Sequence, residues 1–187
     1  MTADPGPALE RYRDYLRLLA RVQIGSALGG QLEASDLVQQ TLLEAYKQWS
    51  QFRGHSEAEL TAWLRQILAH NLADAVRTLG RAKRDVARQR SLEAALQESS
   101  SKLEAWLAAE QSSPSQRAER HEQVVRLADA LASLPDAQRE ALILQHWHGQ
   151  SLAQIGAHMN RSTTAVAGLL KRGLKQLRVL LQERSES

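Results

Sequence analysis

The sequence predicts an all-α protein built from two small helical modules, and composition and apolar spacing carry this prediction. Only 4% of the 187 residues are aromatic, while Ala, Leu, Gln, Glu and Arg are abundant, which favours helices over sheets. Apolar residues recur every three or four positions in two separate stretches, as in amphipathic helices. A chain of this length has room for two compact modules.

The N-terminal stretch predicts three helices. The first runs from Ala8 to about Ala27, the second begins after Ser35 as its N-cap, and the third ends near Gly80. Their predicted inward-facing residues are Leu9, Tyr12, Leu16 and Leu19, then Val38, Leu42, Ala45 and Trp49, then Leu60, Leu64, Ile67 or Leu68, Leu72 and Leu79. We therefore expect a helical bundle over residues 8–90.

Residues 91–120 are rich in Ser, Gln and Glu, which predicts a flexible acidic linker with one short helix around Leu103 to Leu107. Helical periodicity returns at Val124, Leu127 and Leu131. Pro135 suits the first position of a helix that extends to His148. Residues 121–182 are therefore predicted to form the second module.

Charge and cysteine content narrow the classes of function. The net charge is only +3, but Val76 to Arg90 holds six basic residues and one acid, and Asn160 to Arg178 holds five basic residues and no acid. The absence of cysteine excludes disulfides, thiolate zinc sites and thiol nucleophiles. No apolar run approaches the roughly 18 residues that span a bilayer. We expect a soluble, cytoplasmic protein without membrane insertion.

The segment from Ser151 to Arg178 predicts a helix-turn-helix. Ser151 and Gln154 can form a capping box, Asn160 tolerates the left-handed turn, and Ser162 can cap a second helix. That geometry inserts the start of the second helix into the major groove of DNA, the alternative being a helical hairpin with a solvated charged face. The predicted base-facing residues are Arg161, Ser162, Thr163, Thr164 and Ala167, and the predicted phosphate contacts are Lys171, Arg172 and Lys175.

The segment that opens with Leu134-Pro135 and Gln138-Arg139 and includes this motif resembles the C-terminal domain of bacterial RNA polymerase sigma factors of the extracytoplasmic-function type. The resemblance implies recognition of the promoter −35 element. Two departures stand out. The family usually has a basic or polar stretch where this chain has Ala167-Gly168-Leu169, and it usually has alanine at the position of Gly156.

The helix that contains Asp36-Leu37-Val38-Gln39-Gln40-Thr41-Leu42-Leu43 is similar to the sigma-factor helix that binds the coiled coil of the polymerase clamp. Polar residues spaced by three or four positions share a face opposite the apolar stripe, so a partner surface is geometrically available. Taken alone, such a pattern also describes a solvated helix face. The core-polymerase contacts that the resemblance implies are Asp36, Gln39, Gln40, Leu43 and Lys47.

Phe52-Arg53-Gly54 followed by Ala62 to Asp74 is similar to the sigma-factor segment that melts and recognises the −10 element. Its residues mix a flat ring, amides and a cation, as capture of single-stranded bases requires. Trp63 could equally belong to the core, and the basic run after it favours phosphate contact. The predicted −10 contacts are Trp63, Gln66, His70, Asn71, Asp74, Arg77, Arg81 and Arg84.

No constellation for catalysis or cofactor binding stands out. His146, His148 and His158 lack a carboxylate cluster that would complete a metal shell, so we predict no metal, no cofactor and no enzymatic activity. The hypothesis is a sigma factor whose partners are core RNA polymerase, promoter DNA and an anti-sigma factor. Two alternatives are a helix-turn-helix regulator with a sensing or dimerising N-terminal half, and a helical adaptor or inhibitor that binds an acidic protein.

Overall fold

The computed structural model describes residues 4–28, 32–79, 86–110 and 117–183. Within these ranges the regular elements are all helical, which confirms the predicted fold class. The helices are α1 (Gly6–Glu10), α2 (Arg13–Leu28), α3 (Ala34–Lys47), α4 (Glu57–Thr78), α5 (Val86–Glu110), α6 (Arg117–Ala132), α7 (Asp136–His146), α8 (Leu152–Met159) and α9 (Thr163–Glu183), with a 3-10 turn at Trp49–Gln51.

Helices α2, α3 and α4 pack side by side in the N-terminal module. The first predicted helix is in fact two helices, α1 and α2, because the chain turns at Arg11 and Tyr12. Helix α3 begins at Ala34, one residue before the predicted N-cap, and Glu33 precedes it without a side-chain cap. The predicted inward stripes of α2, α3 and α4 are buried, apart from the half-buried Trp49 and Leu79.

Helix α4 is started by a capping box that the sequence analysis did not identify. The backbone N–H of Glu59 donates to Ser56 Oγ at 3.2 Å, and Glu59 Oε2 accepts from the N–H groups of His55 at 2.7 Å and Ser56 at 3.1 Å. The His55 backbone bond, followed by the Ser56 hydroxyl, lowers the pKa of Glu59. The ionised carboxylate therefore stabilises the start of α4 at pH values above the ordinary glutamate pKa. This stabilisation is lost as the pH falls through the lowered pKa of the folded state.

Residues 91–110 are helical rather than an irregular linker, and they form most of α5. Leu96, Leu103 and Leu107 are buried, together with the small polar residues Ser99 and Ser100. A high serine content is typical of linkers, and it led to the linker prediction. However, the small side chain of serine also lets a neighbouring helix pack closely against α5. The short helix predicted at 103–107 is therefore part of a much longer one. The rest of the predicted linker includes residues 111–116, which lie outside the described ranges.

The buried serines of α5 bond to polar groups of the N-terminal module. The Tyr15 hydroxyl donates to Ser100 Oγ at 3.0 Å, and Gln23 Nε2 lies 3.1 Å from Ser99 Oγ. Arg65 then donates to the Tyr15 hydroxyl oxygen at 2.8 Å, so this network ties α2, α4 and α5 together. Buried polar groups need such partners, and their long sequence separation explains why composition alone did not predict this packing.

Helices α6 to α9 form the C-terminal module. Pro135 occupies the N-cap of α7 rather than its first helical position, and α7 ends at His146, two residues earlier than predicted. Gly149, at φ 62°, turns the chain towards α8. The predicted core residues Val124, Leu127 and Leu131 are buried.

The two modules pack against each other, and α5 and α6 lie at the seam between them. Trp147 Nε1 donates to the backbone carbonyl of Ser99 at 3.1 Å, and Lys102 Nζ donates to the carbonyl of Trp147 at 3.3 Å. Trp106 stacks on His146 with ring centroids 4.1 Å apart and an interplanar angle of 16°. The buried apolar residues of both modules consequently form one continuous cluster.

Because α5 is packed on both sides, truncating its core should destabilise the chain. We predict that Leu103→Ala lowers the free energy of unfolding by about 2–5 kcal/mol, the range for large-to-small core substitutions. Urea denaturation followed by circular dichroism measures this change. Ser101→Ala, at an exposed position of the same helix, is the matched control and should have a small effect. Equal, near-zero effects would mean that this segment is an undocked linker.

Candidate nucleic-acid and partner interfaces

The outer face of α3 carries all the predicted polymerase contacts. Burial of Leu37, Val38, Leu42 and Ala45 fixes the orientation of the helix, and the opposite face is left to solvent. The five predicted residues Asp36, Gln39, Gln40, Leu43 and Lys47 are all exposed on it. The structure brings them together along one helix, as their spacing of three or four positions requires.

Tyr46 adds an apolar element to this face that the sequence analysis missed. Leu43 is 51% exposed and Tyr46 is 50% exposed, and they lie three residues apart on α3. A tyrosine three positions after an exposed leucine is the sequence signal that could have identified the pair. Adjacent exposed Leu and Tyr side chains supply apolar area of the kind that protein interfaces bury. We call Asp36, Gln39, Gln40, Leu43, Tyr46 and Lys47 the α3 ridge.

Asn71 is not placed for contact with DNA in this structure. It is only 1% exposed, and its Nδ2 donates to Thr41 Oγ1 at 3.2 Å while its Oδ1 lies 3.2 Å from Gln40 Nε2. The side chain therefore joins α4 to α3. Asn71 was predicted as a −10 contact, and its partners Gln40 and Thr41 could not be recognised locally because they lie 31 and 30 positions earlier in the chain.

Trp63 lies in an aromatic cluster at the start of the predicted −10 surface. Its ring stacks on Phe52 with centroids 5.0 Å apart and meets Trp49 edge-on at 6.4 Å. A Cβ at Gly54 would lie 2.3 Å from Phe52 Cζ, so a larger residue there would displace the Phe52 ring from its position over the loop. Trp63 is half-buried, and it combines a packing role with partial exposure.

The remaining α4 residues form a polar line along the helix. Gln66, His70 and Arg77 are exposed, and the half-buried Asp74 lies 2.9 Å from Arg77 and 3.6 Å from His70. Arg81 and Arg84, predicted to extend this surface, lie outside the described residues.

The helix-turn-helix forms as predicted from its local signals. Gln154 N–H donates to Ser151 Oγ at 3.3 Å, while Ser151 N–H donates to Gln154 Oε1 at 2.9 Å. Asn160 adopts the left-handed conformation at φ 52° and ψ 51°, and Ser162 Oγ accepts from the N–H of Ala165 at 3.2 Å. These bonds satisfy groups at the ends of both helices that would otherwise lack partners.

Gly156 allows the turn to be this tight. The N–H of Arg161 donates to the Gly156 carbonyl at 2.8 Å, which draws the two backbones together. A Cβ on Gly156 would lie 2.7 Å from the Arg161 carbonyl oxygen, a backbone atom that cannot swing aside. Glycine at this position therefore lets the turn approach α8 closely.

The start of α9 presents a basic surface without acidic side chains. The eight residues predicted to face DNA are all exposed: Arg161, Ser162, Thr163, Thr164, Ala167, Lys171, Arg172 and Lys175. Burial of Ile155, Val166 and Leu170 fixes the angle between α8 and α9. This arrangement has the form of a groove-binding helix followed by phosphate contacts.

The departure at Ala167-Gly168-Leu169 affects only part of this surface. Leu169 is buried in the core, so its side chain does not face outward. Arg172 Nη1 lies 3.2 Å from the position that a Cβ on Gly168 would occupy, which places the guanidinium over that glycine. The Arg172 guanidinium therefore extends into the space that a side chain at position 168 would occupy.

Two further features bear on the class of protein. In the described part of the chain, no group of three or more potential metal-ligating side chains converges. Of the helices in the described ranges, none combines the length and hydropathy needed to cross a membrane.

Both modules match known sequence families. Residues 10–82 match the family model for Sigma-70 region 2, and residues 125–177 match the model for Sigma-70, region 4. The two matches occur in one chain and in this order. The chain belongs to the sigma-70 family. A regulator with only a C-terminal DNA-binding module would not account for the region 2 match.

Individual relatives place the chain among the sigma factors of extracytoplasmic-function type. It is 29% identical over 170 residues to the ECF RNA polymerase sigma factor SigD of Mycobacterium tuberculosis and of Mycobacterium bovis, covering 91% of this chain and 73% of the relative. It is also similar to the sigma factor RpoE in its co-crystal structure with the anti-sigma factor NepR from Bartonella quintana. That match has 22% identity, coverage of 95% of this chain and 91% of the other, and a TM-score of 0.32.

This sigma factor directs promoter-specific transcription initiation through core RNA polymerase and promoter DNA.

The Gly156 contact generates a prediction for the DNA-binding module. Gly156→Ala should displace the Arg161 peptide and destabilise the module by about 1–3 kcal/mol, as overpacking does elsewhere. Thermal unfolding measures the loss, and a gel-shift assay with promoter duplex measures the accompanying loss of affinity. Ala157→Ser, which adds one atom at the exposed neighbouring position, is the control. Unchanged stability in Gly156→Ala would show that the turn has room for a side chain.

Proposed function

We propose that the chain divides its work among three surfaces: the α3 ridge binds core RNA polymerase, the α4 line captures the −10 strand, and the start of α9 binds the −35 duplex. The observation that carries this proposal is that the packing of both modules leaves these three surfaces open to solvent. The functional boundaries are residues 8–90 for polymerase binding and −10 recognition, and residues 121–182 for −35 recognition. The factor works in the cytoplasm, where polymerase and promoters are found, and has no catalytic activity of its own.

The α3 ridge combines an acidic start, amides, an apolar pair and a terminal lysine. Asp36 lies in the first turn of α3 and Lys47 lies in the last, so both charges interact favourably with the helix dipole. Burial of Leu43 and Tyr46 against polymerase would supply the apolar core of the interface, and the charged ends would form its rim.

The α4 and α9 surfaces recognise DNA in different ways. On α4, the exposed part of Trp63 offers a stacking surface, and Gln66 and His70 offer hydrogen bonds to an unpaired base. In the helix-turn-helix, Arg161 of the turn and Thr164 of α9 face base edges in the major groove, and the later cations hold phosphates. The basic residues after Arg77 add sequence-independent affinity.

The packed arrangement must open for both promoter elements to be bound together. Their centres are about 25 base pairs apart, or about 85 Å along the duplex axis at about 3.4 Å per pair. A compact chain of 187 residues has a radius of gyration of about 16 Å, hence a diameter of about 40 Å. We therefore propose that polymerase binding separates the modules at the seam. An anti-sigma factor, as the family resemblance implies, would favour a state that cannot bind polymerase.

A single exposed substitution tests the polymerase surface. Leu43→Ser should weaken binding to core RNA polymerase at least tenfold, because it removes an apolar contact that only the complex buries. Affinity is measured by titrating core enzyme, and promoter-dependent transcription is measured with the reconstituted holoenzyme. The free energy of unfolding should change little, since the side chain is already half exposed.

Val179→Ser is the matched control, because Val179 is 43% exposed on α9, away from the α3 ridge. It should leave core affinity unchanged. Equal core affinity in Leu43→Ser and the wild type would contradict the assignment of the α3 ridge. Absence of any complex with core enzyme in the wild type would contradict the proposed function as a whole.

A further inference from the structure

A cavity of about 150 Å³ lies at the seam, away from the three surfaces assigned above. It is bounded by α2 of the N-terminal module and by α6 and α7 of the C-terminal module. Its charged lining is predominantly basic. The lining residues are Asp14, Arg17, Leu18, Arg21, Ala128, Leu131, Ala132 and Arg139.

Two of the three arginines in this lining are held in place by groups of the chain. Arg17 Nη1 lies 3.1 Å from Asp14 Oδ1 on the same helix. Arg139 pairs with Asp136 and also donates from Nη1 to the carbonyl of Ala132 at 2.9 Å. The Arg139 side chain is only 12% exposed, so this guanidinium is a fixed part of the cavity wall.

Arg21 differs from both, because no acceptor among the described residues bonds its guanidinium. Burial, followed by the charges of Arg139 and Arg17, lowers its pKa. The carboxylates of Asp136 and Glu140 oppose this shift through space, without a hydrogen bond to Arg21. The three guanidinium groups repel one another, so an anion that binds between them stabilises their arrangement.

The size of the cavity suits a phosphoryl group. A volume of about 150 Å³ is several times the roughly 10–15 Å³ that a cavity needs to hold one water molecule, so a group larger than water fits. Arg21 also lines a second, larger cleft of about 580 Å³, whose walls include Val22, Ile143, Leu144 and His148. The volume of this cleft is within the usual range of ligand sites. A ligand whose anionic group binds Arg21 therefore has space in the cleft for the rest of its structure.

We propose that Arg17, Arg21 and Arg139 form an anion site at the seam, which binds the phosphoryl group of a small phosphorylated ligand. Two of the arginines belong to the N-terminal module and one belongs to the C-terminal module. A bound anion therefore stabilises the packed arrangement over any arrangement in which the modules are apart. Its effect on transcription rests on the proposed opening of the modules, but the binding itself does not.

Thermal unfolding of the free full-length chain tests the site without polymerase. Inorganic phosphate, pyrophosphate and a nucleoside diphosphate are titrated separately against sodium chloride at matched ionic strength. At saturating ligand, we expect the melting temperature to rise by about 3 °C or more above the chloride control. Similar affinities for inorganic phosphate and the nucleoside diphosphate would identify free phosphate as a sufficient ligand. Tighter binding of the nucleoside diphosphate would indicate an ester whose body occupies the larger cleft.

Arg21→Gln should reduce phosphate affinity at least tenfold, because it removes a charged donor from an otherwise unchanged cavity. Circular dichroism verifies that this variant is folded. Arg13→Gln, which removes an arginine of α2 outside the cavity, should bind phosphate as the wild type does. Equal affinity in Arg21→Gln and the wild type, or no stabilisation beyond the chloride control, would overturn the proposal. Because polymerase is absent from this assay, its failure is distinguishable from failure of the proposed function.

Discussion

The observed arrangement depends on the packing of the two modules against each other, in which the Trp147 indole donates to the Ser99 carbonyl. Trp147 ends the α7 region of the C-terminal module, and Ser99 lies midway along α5, which is packed on the N-terminal module. A buried indole N–H needs an acceptor, so this bond fixes where α5 meets the second module. With Trp106 stacked on His146, it turns two bundles into one core.

This packing stabilises the free chain without covering the three surfaces that we propose for binding. The α3 ridge, the α4 line and the start of α9 all face solvent in the packed chain. The polar groups at the seam suit a reversible contact. Lys102 and Trp147 each have a hydrogen-bond partner across the seam, and each group would exchange that partner for water when the modules separate.

The sequence predicted the elements whose signals are local and missed those that depend on distant partners. Ser151 and Asn160 define the helix-turn-helix because a cap and a left-handed residue act within a few positions. Helix α5 was mistaken in part for a linker, since Ser99 and Ser100 become core residues only when residues of α2 bond them. Asn71 was predicted as a −10 contact for the same reason, since its partner Thr41 is on α3. The close approach of the Arg161 carbonyl to Gly156 likewise depends on how the turn packs against α8.

The distance between the two modules tests the central claim most directly. The chain has no cysteine, so Ser50→Cys and Val179→Cys provide two exposed labelling positions, one in each module. Energy transfer between dyes at these positions should report a separation within about 40 Å in the free chain. In the complex with core polymerase and promoter DNA, the separation should increase by tens of ångströms. An unchanged distance in a transcriptionally active complex would contradict the account.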